Sequence, residues 1–393
     1  MPDGDGMVSN FNREHNQLGR EHIRQYPEMY IGGTDQDALH QLAFEVINHS
    51  INGALSSNCN EITIRLRDNH EICVHDNGEG IYTDPQGDDG QSFLEIFMTD
   101  IGFHLNRKDK KILDYKVEGG LHGVGLATIN PLCETMRVES MYRNVMYTQS
   151  YQAGIPIDEV SAVRRLEKSE SSGTVVTFRP DFSIFEQHDF DYDVLANRAY
   201  EVTILVPGLK IHLIDERTEQ ARKKTFQQED GLGEFLERFN QTQDAIHEPL
   251  LTHYVMQTTN HANLDLQIYV DVALQYIQGG ETEAHTYVNT VFATGGGIHQ
   301  RAVYSALSDR LNEIIRENRL LPADEPDFSR REITSGLTML INIKHPEPEF
   351  RGMSHEYLCN PEIYGAVAGA VYQIEIPNDI LQKILERCLQ NRA

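Results

Sequence analysis

Glu45 and His49 stand four residues apart in FEVINHSINGA (44–54). On a helix, that spacing sends both side chains out of the same stripe. A carboxylate and an imidazole one turn apart can activate a water and hold a cation beside phosphates. With Asn48 and Asn52 next to them, the plainer reading is a solvated polar face. Asp76 ends a strand-like run and enters the turn Asp76-Asn77-Gly78-Glu79-Gly80. A carboxylate there can accept from an exocyclic amine, although by itself the segment is a β-turn. The densest feature is GGLHGVG at 119–125. Glycines so closely spaced let backbone N–H groups converge on a phosphate, and the dipole of a following helix favours the anion. The run lacks the Lys-Ser/Thr ending of a Walker loop and the simple strand context of a dinucleotide fold.

These groups need elements to hold them. From 34 to 54, Leu39, Ala43, Val46, Ser50 and Ala54 recur at three- and four-residue steps, and Thr34 or Asp35 can cap the start, which predicts a helix. Alternation over 61–67 and 71–80 predicts two strands ending in a turn, and 136–154 and 173–181 predict further strands. Residues 83–118 mix one short apolar stretch with Gly, Asp and Lys and are expected to form a long loop over a site. The glycine run should turn into a helix over 119–132, and 189–217 should be helix followed by strand. The polar segment 218–231 is the best domain boundary. Beyond it, 264–276, 285–294 and 337–345 look strand-like, and 306–321 and 377–393 helical. Strands and helices mix in both halves, so an α/β or α+β protein of two domains is expected.

Composition bounds the function. The chain has 393 residues, with 34 Lys+Arg against 60 Asp+Glu, a formal net charge of −26. That excess argues against a whole-surface nucleic-acid binder, because a polyanion would meet a strongly negative body. Five scattered cysteines, with no C-x-x-C pair, fit neither a zinc site nor a disulfide framework. The polar start lacks the apolar core of a signal peptide, and no run approaches the ~18 apolar residues of a membrane span. A cytoplasmic protein with no membrane partner is expected.

The order of the motifs (helix Glu, D-x-G-x-G, long loop, G-x-x-G-x-G) resembles the GHKL family of ATP-binding folds. Within it, the match is to type IIA topoisomerase ATPase subunits, gyrase B and its topoisomerase IV equivalent. YPEMYIGGT (26–34) looks like their R-P-G-M-Y-I-G element, FEVINHSINGA like F-E-V-V-D-N-A-I-D-E-A, and YKVEGGLHGVG (115–125) like Y-K-x-S-G-G-L-H-G-V-G. TGGGIHQ (294–300) resembles the G-G-T-H segment opening a transducer helix, and 345–363 the P-D-P-x-F-x-x-Q-T-K-x-x-L-x-N-x-E loop, so the likeness covers roughly residues 20–375. It implies a GHKL (Bergerat) α/β sandwich over 21–222, with an ATP lid at about 83–118. A ribosomal S5 domain 2-like transducer domain would follow over 223–393, and residues 1–20 would be an N-terminal arm. It further implies Glu45 as general base, Asp76 as acceptor of the adenine amino group, and Thr174 nearby through a water. Gly80, Ile81, Gly120, Leu121, His122, Gly123, Val124 and Gly125 would line the nucleotide, with Lys116 reaching its charge. ATP with Mg²⁺ is the implied cofactor. An ATP-gated homodimer is the implied state, and DNA, a topoisomerase partner subunit or another protein are the implied partners.

Three departures bear on chemistry. His49 takes the slot of the Asn that ligates Mg²⁺, an ion that prefers oxygen ligands. Asn52 and Gly53 replace two acids. The Q-T-K triplet reads Met353-Ser354-His355, leaving His355 or Arg351 to meet the γ-phosphate. Slow hydrolysis is the expectation, with a nucleotide-sensing interaction module of little turnover as the alternative. Two readings of the chain's extent stay open: an ATPase fragment of a topoisomerase, or a short relative without DNA-cleavage domains.

Overall fold

The computed structural model describes residues 16–56, 58–86, 90–101, 125–229, 231–259, 265–351 and 357–392. Two compact units divide the chain, Met1–Gln228 and Glu229–Ala393. Among the described residues, no helix is long and apolar enough to cross a membrane, and all five cysteines are free thiols.

The first unit is organised by helix α1, Gln36–Leu55. Asp35 caps it, its carboxylate accepting from the Ala38 N–H at 3.0 Å, and no proline interrupts it. Leu39, Leu42, Ala43, Val46 and Ile51 are fully buried along the sheet-facing stripe. Beneath them β1 (Glu61–Arg67) and β2 (Glu71–Asp76) form an antiparallel hairpin. Its three-residue turn, Asp68 to His70 between the paired Arg67 and Glu71, places Asn69 and His70 in the left-handed region at φ 58°. Alternation in β1 buries Ile62, Ile64 and Leu66. In β2 it buries Ile72, Val74 and, in the same register, Asp76. The period of two therefore carries a carboxylate into the core face.

Residues 136–154 resolve into a second hairpin, β3 (Cys133–Tyr142) and β4 (Val145–Gln152), turned by Arg143 and Asn144 at φ 49° and 63°. Short strands β5 (Ile155–Pro156) and β6 (Ser161–Arg165) both pair with β4. Strand β7 (Gly173–Pro180) lies between β2 and β3. After helix α4 (Tyr192–Leu205) come β8 (Lys210–Asp215) and β9 (Arg222–Gln227). The sheet order is β9-β8-β1-β2-β7-β3-β4-β5, and among the described residues only β1 and β8 run parallel. The stretch expected as one long loop contains helix α2, Phe93–Thr99, because Phe93, Leu94, Phe97 and Met98 all reach the core. Helix α3, Gly125–Ile129, starts at the end of the glycine run and passes into a 3-10 turn at Asn130–Leu132.

The second unit is a five-stranded sheet with helices on it. Its strands are β10 (Leu250–Thr259), β11 (Asp265–Tyr276), β12 (Glu283–Val288), β13 (Val291–Phe292) and β14 (Leu337–Lys344), ordered β10-β11-β14-β12-β13. Helix α6 (Ile298–Glu317) bridges the parallel pair β12 and β14, with α5 (Gly231–Phe239) before it and α7 (Arg330–Thr334) after it. Helix α8 (Glu362–Tyr372) packs on α6 and on β10 and β11, and α9 (Asn378–Arg392) ends the unit. Val270, Val272, Leu274, Ile341, Ile343, Leu311 and Val367 fill its separate core.

His299, in the first turn of α6, is fully buried, and neither ring nitrogen has a hydrogen-bond partner among the described residues. Burial alone pushes its pKa down to about 4. Such a group stays neutral in the folded chain while the unfolded chain takes up a proton near the ordinary value of about 6.5, so the unfolded state binds more protons between those two values. Stability should fall as pH drops from about 6.5 to about 4, by on the order of 3 kcal/mol from this residue. Urea titrations of the wild type and of His299→Gln across that window should show the slope flattened in the variant. Equal slopes would remove His299 as the cause.

Candidate active site

A cleft opens in the first unit where α1, the end of β2 and the start of β7 meet. It is lined by His49, Ser50 and Gly53 of α1, by Asn58, by Asp76, Gly78, Glu79, Gly80 and Tyr82, and by Thr174. About 440 Å³ of space lies between these residues when the solvent in the cleft's open mouth is included.

Asp76 is its chemical centre and is only 5% exposed. One carboxylate oxygen accepts from the Gly78 N–H at 2.9 Å and from the Thr174 N–H at 3.2 Å. The other accepts from the Ser50 hydroxyl at 2.8 Å. A carboxylate offers roughly four acceptor sites, so three are satisfied internally and about one remains for a donor entering the cleft. Thr174 is the cross-strand partner of Asp76, so its backbone bonds the carboxylate directly. Gly80 must be glycine: its φ is +79°, and a Cβ would sit 2.6 Å from the Met141 carbonyl oxygen. The neighbouring Ile81 is buried, and its carbonyl accepts from Ser140 Oγ at 2.6 Å, which pins this turn to β3.

Glu45 lies on α1 upstream of the cleft-lining His49, and Gln41 donates to its carboxylate at 3.1 Å from one turn before. The polar face of the helix is not solvated: Glu45 and Asn48 are each 4% exposed. Charge is placed under cover there, which demands compensating polar contacts. His49 lines the cleft wall with its ring 5.5 Å, centroid to centroid, from Phe97 of α2. Burial lowers its pKa, and the nearby Asp76 charge partly opposes this. Gly125 begins α3 at φ 60°. Lys116, Gly120, Leu121, His122, Gly123, Val124 and His355 lie outside the described residues. Arg351 belongs to the second unit, in a two-residue strand paired with Tyr357–Leu358, its guanidinium 5.4 Å over the Tyr357 ring.

Sequence reasoning missed Ser50, Gln41, Asn58, Glu79 and Tyr82. The signal for Ser50 was available, since it is a hydroxyl in an otherwise apolar stripe. His49, at the position where the resemblance expects a Mg²⁺ ligand, presents nitrogen, whereas this ion prefers oxygen; the other polar lining residues, Ser50, Asn58, Asp76, Glu79, Tyr82 and Thr174, present oxygen. Among the described residues, no group of three His, Cys, Asp or Glu side chains could hold a metal.

Comparison with known proteins agrees with this geometry. The family described as histidine kinase-, DNA gyrase B-, and HSP90-like ATPase matches residues 34–184. The DNA gyrase B family matches residues 231–393. The DNA gyrase B protein of Haloferax volcanii is 35% identical over 358 residues, covering 90% of this chain and 54% of that protein. Its Thermotoga maritima counterpart is 34% identical over 355 residues, with 90% and 54% covered. The chain thus spans about half the length of the curated relatives it matches. Among solved structures, the 43K ATPase domain of Thermus thermophilus gyrase B, in complex with an aminocoumarin, superimposes with a TM-score of 0.77 at 28% identity, covering 95% of this chain and 94% of that one. The topoisomerase IV ATP binding domain of Francisella tularensis gives 0.75 at 21% identity, over 94% and 95%, a likeness of fold alone.

Proposed function

The chain belongs to the gyrase B-like GHKL ATPases, and on that premise we propose that its first unit binds ATP and hydrolyses it slowly to gate a homodimer. The observation that carries this reading is the setting of Asp76. Its carboxylate is buried at the base of a cleft, orientated by three internal donors, with about one acceptor position left for an exocyclic amine. Glu45, held by Gln41, is the base that takes the proton of the attacking water. Gly80, Ile81 and Thr174 wall the base, and Lys116 with the run from Gly120 to Gly125 serves the phosphates.

Slow turnover follows from residue chemistry. Met353 has no side-chain hydrogen-bond donor, and His355 supplies an imidazole where the resemblance expects a lysine ammonium. Arg351 is the remaining cation of that segment. Losing one preorganised donor to developing charge costs on the order of 10²–10³ in rate. A second copy of the chain is the proposed partner, with a topoisomerase subunit and DNA as partners of any larger assembly. The −26 net charge means that DNA would need a basic surface supplied locally or by another subunit.

The test is sedimentation with thermal unfolding. A non-hydrolysable ATP analogue should convert monomer to dimer. At about a hundredfold excess over its Kd, it should also stabilise the fold by about 2.7 kcal/mol through binding alone. A folded chain that stays monomeric and shows no shift of melting temperature would defeat the proposal.

A further inference from the structure

Arg351 is the cation that the reading above leaves for the γ-phosphate. Its two-residue strand, paired with Tyr357–Leu358, is too short to fix it by ladder bonds alone. A set of polar bonds at the base of the segment, within the second unit, does that work. His345 follows the last residue of β14 and is fully buried. Asn289, just past β12 at φ 50°, grips its backbone on both sides. Asn289 Oδ1 accepts from the His345 N–H and Asn289 Nδ2 donates to the His345 carbonyl, each at 2.8 Å. His345 Nδ1 accepts from the Glu347 N–H at 2.9 Å. A backbone N–H can only donate, so the ring proton sits on Nε2, which donates at 3.0 Å to Glu362 in the first turn of α8. Asn360, also buried, donates Nδ2 to the same Glu362 oxygen at 3.0 Å and to the Glu347 carbonyl at 3.1 Å. Its Oδ1 accepts from the Glu349 N–H at 2.5 Å, and the Cys359 N–H closes onto the Glu349 carbonyl at 2.8 Å. The chain entering at 345–349 and the chain leaving at 359–362 are thus laced to each other. A further hold comes from the start of α6. Leu358 is fully buried, its N–H donates to the Gly296 carbonyl at 3.2 Å, and a Cβ on Gly297 would lie 2.7 Å from its carbonyl oxygen. A buried network satisfied to this degree rigidifies one arrangement of the chain.

We infer that His345, Asn360 and Glu362 are positioning residues, whose clasp presents Arg351 from a rigid base to the charge that develops on the γ-phosphate. None of the three meets the nucleotide; each acts through Arg351. A cation held in place before the chemical step needs no reorganisation during it, which is what makes such a donor effective. The inference rests on the ATP-hydrolysing reading above and deepens it.

Hydrogen exchange on the full wild-type chain tests the base. The amides of Glu347, Glu349 and Cys359 should be protected without nucleotide, and a non-hydrolysable ATP analogue should change their rates by less than about threefold. Protection that arises only with the analogue would overturn the inference, since the ligand and not the clasp would order the segment. Kinetics tests the route through Arg351. Asn360→Ala and Glu362→Ala should each lower kcat about tenfold while the Kd of the analogue stays within about twofold. Glu362→Gln keeps the acceptor oxygen and should hold kcat within about threefold of the wild type. In an Arg351→Ala background, Asn360→Ala should cost less than about twofold more, because both changes remove one effect. The same tenfold loss in both backgrounds, or an unchanged kcat in folded Asn360→Ala, would overturn the inference. The exchange measurement needs no variant, so it decides even if both alanine variants fail to fold. A folded wild type that binds the analogue and releases no phosphate from ATP would overturn the turnover reading itself, an outcome distinct from a clasp that does not act through Arg351.

Discussion

Glu45→Gln should lower phosphate release from ATP by on the order of 10²–10⁴-fold while leaving nucleotide affinity within about threefold. The side chain is buried on α1 and takes a hydrogen bond from Gln41 at 3.1 Å. The amide keeps the shape and that contact but cannot accept a proton from water. The effect therefore belongs to the chemical step and should appear in kcat without a matching change in Kd. Steady-state phosphate release and calorimetric binding separate the two. A variant with unchanged release would remove Glu45 as base. A variant that loses binding would mean that the carboxylate holds the fold of the cleft.

The second large effect is expected at Asp76. In Asp76→Asn, the Gly78 and Thr174 N–H groups both donate to the same oxygen, which orients the amide oxygen toward them. The amide NH₂ then takes the position that faces Ser50 and the cleft. The Ser50 hydroxyl can reverse and accept, so stability should change by less than about 1 kcal/mol. An incoming exocyclic amine would instead meet a donor. Losing a hydrogen bond to a charged acceptor and gaining a donor–donor clash should weaken ATP by on the order of 100-fold. A nucleotide with a keto oxygen at that position, such as ITP, should lose far less. Competition binding of ATP and ITP to the folded variant measures this. Parallel losses for both would show that Asp76 acts on the shape of the cleft and not on the base.

Much of this site was legible because its periods are clean. Helix α1 follows from three- and four-residue spacing and an Asp cap, and Asp76 from the alternation Ile72–Val74–Asp76. Other parts were hidden for physical reasons. Ser50 lies within the apolar stripe and was counted as packing, yet its hydroxyl fixes the central carboxylate. Glu45 and Asn48 looked like a wet face, and tertiary burial overrode that pattern. Strand β10 exposes Leu251, His253, Gln257 and Thr259 on one face, but its sequence LLTHYVMQTT does not alternate apolar with polar residues. Helix α8 was readable and passed over: Ile363, Ala366, Val367, Ala370 and Val371 recur at three- and four-residue steps and all are buried. Its small residues also serve packing, since a Cβ on Gly369 would lie 2.9 Å from the Tyr254 ring. Helix α2 sat inside a stretch whose Gly, Asp and Lys content reads as loop.

The three bonds that orient Asp76 come from three separate stretches of chain: α1 through Ser50, the turn through Gly78, and β7 through Thr174. Under the proposed ATP-binding function, base preference and local architecture would be written on one side chain. A lineage could drift at an exposed cleft position such as Glu79 one substitution at a time. A new base preference at Asp76 would require a helix, a turn and a strand to be re-bonded together. On this account, the evolutionary freedom of the cleft lies at its rim, away from Asp76.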